Sequence, residues 1–112
     1  MRADEIIERS VRLGVNALEL RSQPVEEFLG SPDESVYSAP APKQIAARKA
    51  TADEIGKWRA AVPMDKVRQC RQKFEDAGIV IEIVKVDDIY VRTDDELDYF
   101  FRLAKTLGAR AI

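Results

Sequence analysis

An amphipathic helical pattern that ends at a glycine and passes directly into a short apolar run occurs three times along this chain. It reads RSVRLGVNALEL at Arg9–Leu20, KFEDAGIVIEIVKV at Lys73–Val86 and RLAKTLGARAI at Arg102–Ile112. Glycine tolerates the left-handed backbone conformation in which many helices end. A strand that follows at once is typical of repeated βα units, so the pattern predicts an α/β fold with parallel strands.

The spacing of apolar positions also predicts the individual elements. Two of the predicted helices cover 3–13 and 65–77. Two more begin at capping boxes: a short helix at TADE, Thr51–Glu54, and a longer one that runs from TDDE, Thr93–Glu96, to Leu107. The predicted strands are Val15–Leu20, Ile79–Val86 and Ala109–Ile112. Strands joined by crossover helices are parallel, with right-handed connections.

Two of these elements have a predicted packing environment. Ile79–Val86 is a nearly continuous run of β-branched residues, which is expected when helices cover both faces of a sheet. Glu82 interrupts this run, and a carboxylate in mid-strand is costly unless it is paired or lies at an edge. The last helix is expected to bury Leu97, Phe100, Phe101, Leu103, Ala104 and Leu107.

Residues 22–50 have a different character, because prolines and serines recur there and break regular structure. Only Val25–Leu29 has the spacing of a helical turn. We therefore predict a single domain over 1–112 with a long flexible loop at about 22–50. Connections of this length in compact domains commonly carry function.

The composition narrows the classes of partner. Hydrophobic residues make up 46% of the chain, charged residues 34%, and the net charge is −2, which is ordinary for a globular domain. No block of like charge indicates nucleic-acid binding, and no apolar stretch approaches the roughly 18 residues of a membrane span. The first residues lack an apolar signal core, so a cytoplasmic location without membrane or nucleic-acid partners is expected.

Two residue counts restrict the chemistry. The chain has no histidine, which excludes imidazole as a general base or metal ligand from this chain. Its one cysteine, Cys70, falls at helical spacing from Val67 and Phe74. This position favours a small core residue over a nucleophile, because a catalytic thiol needs a base and a lowered pKa.

Two long segments resemble the sugar phosphate isomerase/epimerase superfamily of xylose-isomerase-like TIM barrels. They are EIIERSVRLGVNALELR, which begins at Glu5, and MDKVRQCRQKFEDAGIVIEIVKVDDIYVRTDDELDYFFRLAKTLGARAI, which begins at Met64. Units of that family read as a helix, then LG or AG, then a short strand. A glutamate commonly closes the early strand, where this chain has Ala17-Leu18-Glu19-Leu20. The resemblance covers most of the chain, and residues 22–50 contribute little to it.

The resemblance implies a partial (βα)8 TIM barrel that runs from helix 1 to the start of strand 4, with about three parallel strands and flanking helices. Such a chain would be the N-terminal fragment of a protein that acts on a keto-sugar or polyol derivative by metal-assisted proton transfer. The family's divalent metal is bound by acidic and histidine residues on later strands. This chain is therefore expected to bind no cofactor and to be inactive alone. The substrate of the parent protein is expected to be a sugar or sugar phosphate.

The candidate substrate-binding residues follow from the rule that TIM barrels bind ligands at the carboxyl ends of their strands. Glu19 is either a hydrogen-bond acceptor that binds the substrate or orients a residue that does, or a carboxylate paired with Arg21 or another basic residue at the barrel rim. Arg21 is itself a candidate. Lys85 either binds a hydroxyl, carboxylate or phosphate group or extends into solvent. Asp87 and Asp88 either ligate a hard cation or belong to the turn, and adjacent residues should diverge.

Further alternatives remain open. Trp58 and Tyr90 are candidates for stacking on a sugar ring, although core packing suits Trp58 better. In place of a fragment of an enzyme, the chain can be a half-barrel assembly or binding module that forms a homo-oligomer through exposed strand edges and needs no metal. A flavodoxin-like or receiver-like domain is disfavoured, because no glycine-rich phosphate loop follows any predicted strand.

Overall fold

The computed structural model describes residues 2–32 and 51–112, which form a mixed α/β arrangement. In this part of the chain five α-helices accompany a two-stranded parallel sheet. The elements in chain order are α1 (Ala3–Leu13), β1 (Ala17–Arg21), α2 (Ser22–Leu29), α3 (Ala52–Ala61), α4 (Met64–Asp76), β2 (Val80–Lys85), a short 3-10 helix (Ile89–Val91) and α5 (Asp94–Leu107).

The helix boundaries confirm the glycine and capping signals. Gly14 and Gly108 end α1 and α5 in the left-handed conformation, with φ of 75° and 82°. At Gly108 a Cβ atom would also lie 2.7 Å from the guanidinium carbon of Arg71, so the Arg71 side chain would have to move. Thr93 and Glu96 form a complete capping box at the start of α5. These signals succeed because each acts within a few residues of chain.

The order of the parallel strands in the sheet follows their order in the chain. β1 pairs with β2, and on the other side of β2 the residues around Ala111 begin to pair in the same direction. Arg110 N–H donates to the carbonyl of Glu82 at 3.0 Å, and Val84 N–H donates to that of Ala111 at 3.1 Å. The third predicted strand is thus present as an isolated parallel bridge, and the described sheet has two strands where about three were expected.

A β-bulge at Glu82 sets which side chains of β2 face the helices. Leu18 pairs with Ile81 but Glu19 pairs with Ile83, so β2 has one extra residue at this point. The extra residue shifts the alternation of side chains in β2 by one position, so Ile81 and Val84, three residues apart, are both buried, at 3% and 0% exposed.

The described helices cover only one face of the sheet, and the prediction that both faces of β2 are covered is corrected. Leu20 and Val84 point into the covered face and are buried. Glu19, Arg21 and Lys85 lie on the other face and are exposed. We call this second surface the open face of the sheet.

The core lies between the sheet and helices α2, α4 and α5. Its largest fully buried side chains are Tyr99, Phe74, Phe100, Ile79, Leu103, Leu107, Val25, Val67, Val84 and Cys70. The prediction that α5 buries Phe101 and Leu97 is corrected, because Phe101 is 56% exposed and Leu97 is only partly buried. The sequence shows that α5 has a broad apolar face, but it does not show how much of that face is buried. The packing of α5 against α4 and the sheet decides this.

The start of the predicted 22–50 loop is a helix. Ser22–Leu29 forms α2, with Val25 and Leu29 buried, and Gly30 ends it in the left-handed conformation. Pro24 does not prevent this, because it lies in the first turn, where a backbone N–H has no partner within the helix. Residues 33–50 of the predicted loop lie outside the described part of the chain.

Candidate functional site

Two positively charged side chains occupy neighbouring positions where the parallel strands end. Arg21 and Lys85 are the last residues of β1 and β2, and they are register partners on the open face of the sheet. Both are exposed, and Glu19 lies on the same face two residues before Arg21. The carboxyl end of the sheet therefore presents two positive charges side by side, with a carboxylate farther down the same face.

Asp87 binds the first of these cations. Its carboxylate accepts hydrogen bonds from the Arg21 guanidinium, as a close ion pair, and from Gln23 Nε2 at 2.7 Å. The hydrogen bond from Arg21, followed by that from Gln23, holds the pKa of Asp87 below its ordinary value. Asp87 is therefore ionised near neutral pH. We call Arg21, Gln23, Lys85 and Asp87 the carboxyl-end cluster.

The structure distinguishes between several of the alternatives for these residues. Arg21 pairs with Asp87, and no ion pair between Arg21 and Glu19 is present in the described part of the chain. Glu82 is paired with Arg110 at 2.8 Å. Asp88 diverges from Asp87 as expected: it is exposed and adopts the left-handed conformation, with φ of 55°, immediately before the 3-10 helix.

A second charged cluster is buried between three helices, and the sequence reasoning missed it. Arg59 of α3 and Glu26 of α2 are 7% and 6% exposed. Arg59 Nε and Nη2 donate to the two carboxylate oxygens of Glu26, at 2.8 and 3.0 Å. Arg59 Nη1 binds Glu96 of α5, and the Tyr99 hydroxyl donates to Glu26 Oε2 at 3.1 Å. We call these four residues the buried ion cluster.

The charges in the buried ion cluster stabilise one another. Burial disfavours the charged form of Arg59, but hydrogen bonds to Glu26 and Glu96 raise its pKa above the ordinary value. For Glu96, burial opposes ionisation, yet the hydrogen bonds from Arg59 and from the Thr93 backbone lower its pKa below the ordinary value. Arg59 uses all three guanidinium nitrogens on protein carboxylates, so this cluster joins α2, α3 and α5 and is not arranged to take a ligand.

Arg92 links the two clusters. Its Nη2 donates to the backbone carbonyl of Asp87 at 3.2 Å, and its Nη1 lies 3.9 Å from Glu96 Oε2. The loop that holds Asp87 is thereby attached to the first turn of α5. The position of the carboxyl-end cluster thus depends on the packing of the helices as well as on the strands.

No local sequence signal identifies the buried ion cluster, because its members come from three helices that are distant in the chain. The only indication is the position of Glu26 beside Val25 and three residues before Leu29, on the apolar side of a helical pattern. Arg59 lies next to Trp58, whose ring packs edge-on against Tyr99 with a centroid distance of 6.4 Å. That contact favours the packing interpretation of Trp58.

Because of the buried ion cluster, the free energy of unfolding is expected to depend on pH in the acid range. The pKa of Glu96 is lower in the folded chain than the roughly 4.3 of an unfolded glutamate, so its stabilising contribution is present above about pH 4.3. It is lost as the pH falls through the lower, folded pKa. Urea unfolding between pH 7 and pH 3 should show a shallower decline for Glu96→Gln than for the unmodified chain. Glu5→Gln, at an exposed position on α1, is the control, and parallel curves for Glu96→Gln and the unmodified chain would contradict the assignment.

Cys70 is a core residue, as predicted. It is 0% exposed on α4, and burial raises the pKa of its thiol to about 12. A thiol with this pKa is almost entirely protonated at neutral pH, and thiolate is the reactive form. Burial and protonation therefore both argue against a nucleophilic role for Cys70 in the folded chain.

Within residues 2–32 and 51–112 no group of three or more His, Cys, Asp or Glu side chains is arranged to hold a metal ion. None of the helices in the same ranges is long and apolar enough to cross a bilayer.

The chain was compared with protein-family models, curated proteins and solved structures, and none of the three comparisons found a match. The resemblance to sugar phosphate isomerases and epimerases therefore stays a prediction from the sequence.

Proposed function

We propose that this chain is the N-terminal, substrate-binding part of a sugar isomerase/epimerase-like TIM barrel that acts on a keto-sugar or polyol derivative. The observation that supports this proposal most is the carboxyl-end cluster, whose Arg21 and Lys85 lie on the open face where the parallel strands end. TIM barrels bind their ligands at this end of their strands, on a sheet whose outer face is covered by helices. The agreement between strand order in the chain and in the sheet supports the same architecture.

The carboxyl-end cluster has the donors and acceptors that a polyol needs. Arg21 and Lys85 donate, the carboxylate of Asp87 accepts, and Gln23 carries one group of each kind. Charged donors and acceptors bind hydroxyl groups more strongly than neutral ones do. In this proposal these residues bind and orient the substrate, and the groups that transfer the proton lie on other strands.

The cluster does not fit the divalent metal that the resemblance implies. The carboxylate of Asp87 is already bound by Arg21 and Gln23, and Lys85 adds a second positive charge beside it. A cation would have to displace one donor and approach two like charges. No step through a metal is therefore assigned to these residues, and binding without turnover is the proposed behaviour of this chain alone.

A second candidate, the half-barrel assembly, is favoured by one observation. Val80 lies on the open face and is 52% exposed, and Ile112, just beyond the parallel bridge, is 38% exposed. Strand edges pair through backbone groups, and an assembly that also covers the open face would remove these apolar side chains from water. A single monomeric species of the full chain in sedimentation velocity at about 100 µM would contradict this candidate, since specific homodimers commonly form well below that concentration.

The proposed function is tested by ligand binding to the full chain. In NMR titrations with D-fructose and D-fructose 6-phosphate, we expect shifts of the backbone amides of 17–23 and 80–88. Arg21→Gln should weaken binding by about tenfold or more, because it removes a charged hydrogen-bond donor. Arg102→Gln is the matched control, since Arg102 is an exposed arginine whose ion pair is with Asp98 on the same helix. If neither sugar shifts these amides at tens of millimolar, the proposed function is wrong.

A further inference from the structure

We infer that the carboxyl-end cluster selects an unphosphorylated polyhydroxylated ligand over the corresponding phosphate ester. The inference rests on the proposed function and adds the chemical class of the substrate. Three features support it: the charge balance of the cluster, the kinds of hydrogen-bonding groups around Asp87, and an exposed aromatic residue three positions after Asp87 in the chain.

The charge balance disfavours a phosphate. Phosphate sites in proteins combine several unneutralised cations or a row of free backbone N–H groups. Here Asp87 neutralises Arg21, and Glu19 places a second carboxylate on the face that carries Lys85. The third nearby cation, Arg92, lies 3.9 Å from the carboxylate of Glu96, so the positive charges around the cluster are not in excess. A phosphate dianion would have to lie beside the ionised Asp87 or displace it from Arg21.

The nearby helix does not supply the missing donors. α2 begins directly after Arg21, where a helix N-terminus is an anion site in many α/β proteins. Its first turn contains Pro24, which has no backbone N–H, and Ser22, which is only 3% exposed. The number of accessible donors at this N-terminus is therefore reduced.

The remaining hydrogen-bonding groups are of mixed kind. Gln23 Oε1, an acceptor, and Arg92 Nε, a donor, are both shielded from solvent and have no partner among residues 2–32 and 51–112. Both belong to side chains that bind Asp87, through its carboxylate and its backbone carbonyl. Because both atoms are shielded, a ligand reaches them only when the partly buried side chains of Gln23 and Arg92 shift, and a hydroxyl group, which both donates and accepts, then satisfies either atom. A phosphate dianion only accepts and cannot serve Gln23 Oε1.

An aromatic ring adds a feature that suits a sugar. Tyr90 is 87% exposed and lies three residues after Asp87, in the 3-10 helix that follows the left-handed Asp88. The hydrogen bond from Arg92 to the carbonyl of Asp87 closes this loop. Tyrosine rings pack well against apolar surfaces while their hydroxyl stays in water, and the C–H face of a sugar ring is such a surface. The phosphate group of an ester adds nothing to that contact.

The test compares three probes on the full chain: D-fructose, D-fructose 6-phosphate and inorganic phosphate. NMR titration should give a dissociation constant for D-fructose about tenfold lower than that for the 6-phosphate, with shifts at Gln23 and Asp87. Asp87→Asn should reverse this preference, because it removes the negative charge that repels the ester. Tyr90→Ala should weaken binding of both sugars severalfold and leave inorganic phosphate unaffected. Asp98→Asn, at an exposed carboxylate on α5, is the control for loss of a negative charge.

The outcomes separate this inference from the function on which it rests. Tighter binding of the 6-phosphate, or an unchanged preference in Asp87→Asn, would overturn the inference and leave the sugar-binding function in place. Absence of binding by every sugar would overturn the proposed function, and the inference with it. Binding of inorganic phosphate as tightly as D-fructose 6-phosphate would show that the cluster is an anion site and would also overturn the inference.

Discussion

Replacing Arg59 with methionine is expected to lower the free energy of unfolding by about 3–5 kcal/mol. Methionine fills much of the same volume, so the loss comes chiefly from Glu26, which is 6% exposed in the folded chain and loses both Arg59 donors. The neutral Tyr99 hydroxyl still donates to Glu26 Oε2, but a buried carboxylate without a cationic partner is strongly destabilising. Urea unfolding at pH 7, followed by circular dichroism, measures the effect.

Two matched variants make the Arg59 experiment specific. Arg102→Met applies the same substitution to an arginine whose side chain is 47% exposed, and it should change stability by less than about 0.5 kcal/mol. The double variant Arg59→Met/Glu26→Gln removes the buried charge as well, and it should recover part of the loss. Equal urea midpoints for Arg59→Met and the unmodified chain would show that the buried ion cluster does not hold the helices together.

The same variant tests how α3 is held to the rest of the molecule. α3 contributes few apolar residues to the core, since Ile55 and Trp58 are only partly buried and Val62, just past its end, is 9% exposed. Trp58 is the one tryptophan of the chain, so its fluorescence reports on α3. In Arg59→Met we expect the fluorescence transition to precede the circular dichroism transition, because α3 detaches before the core unfolds.

The second large effect is expected at Phe100. Phe100→Ala should cost about 3–5 kcal/mol, because the side chain is 0% exposed and its removal leaves a cavity in the core. The ring also packs edge-on against Tyr99, with a centroid distance of 4.9 Å, and lies 4.7 Å from the guanidinium of Arg59. The adjacent Phe101 provides the control: it is 56% exposed, and Phe101→Ala should change stability by less than about 1 kcal/mol.

Thermal and urea unfolding of the two alanine variants decide between two packings of α5. The sequence pattern predicts that both phenylalanines face the core, whereas the structure buries only Phe100. Losses of similar size in the two variants would contradict the structure and favour a packing in which both rings are covered. A large loss at Phe100 alone would agree with the described orientation of α5.

The positions of the candidate site residues were predictable to the extent that they depend on strand direction. Arg21, Lys85 and Asp87 lie near one another because parallel strands end at the same edge of a sheet, and that follows from the βα pattern. The choice of partner did not follow: Arg21 binds Asp87 and not Glu19, although Glu19 is closer in sequence. The register between β1 and β2, with its bulge at Glu82, decides this pairing and is set by contacts distant in the chain.

The sequence alone determined the features whose causes are local. Gly14 and Gly108 end helices, Thr93 begins one, and the β-branched run from Ile79 forms a strand, because each signal acts over a few neighbouring residues. Only the tertiary structure decided which face of the sheet is covered and which of two adjacent phenylalanines is buried. It also decided that Arg59 and Glu26 meet, since the attraction between two buried charges exists only after three separate helices have packed together.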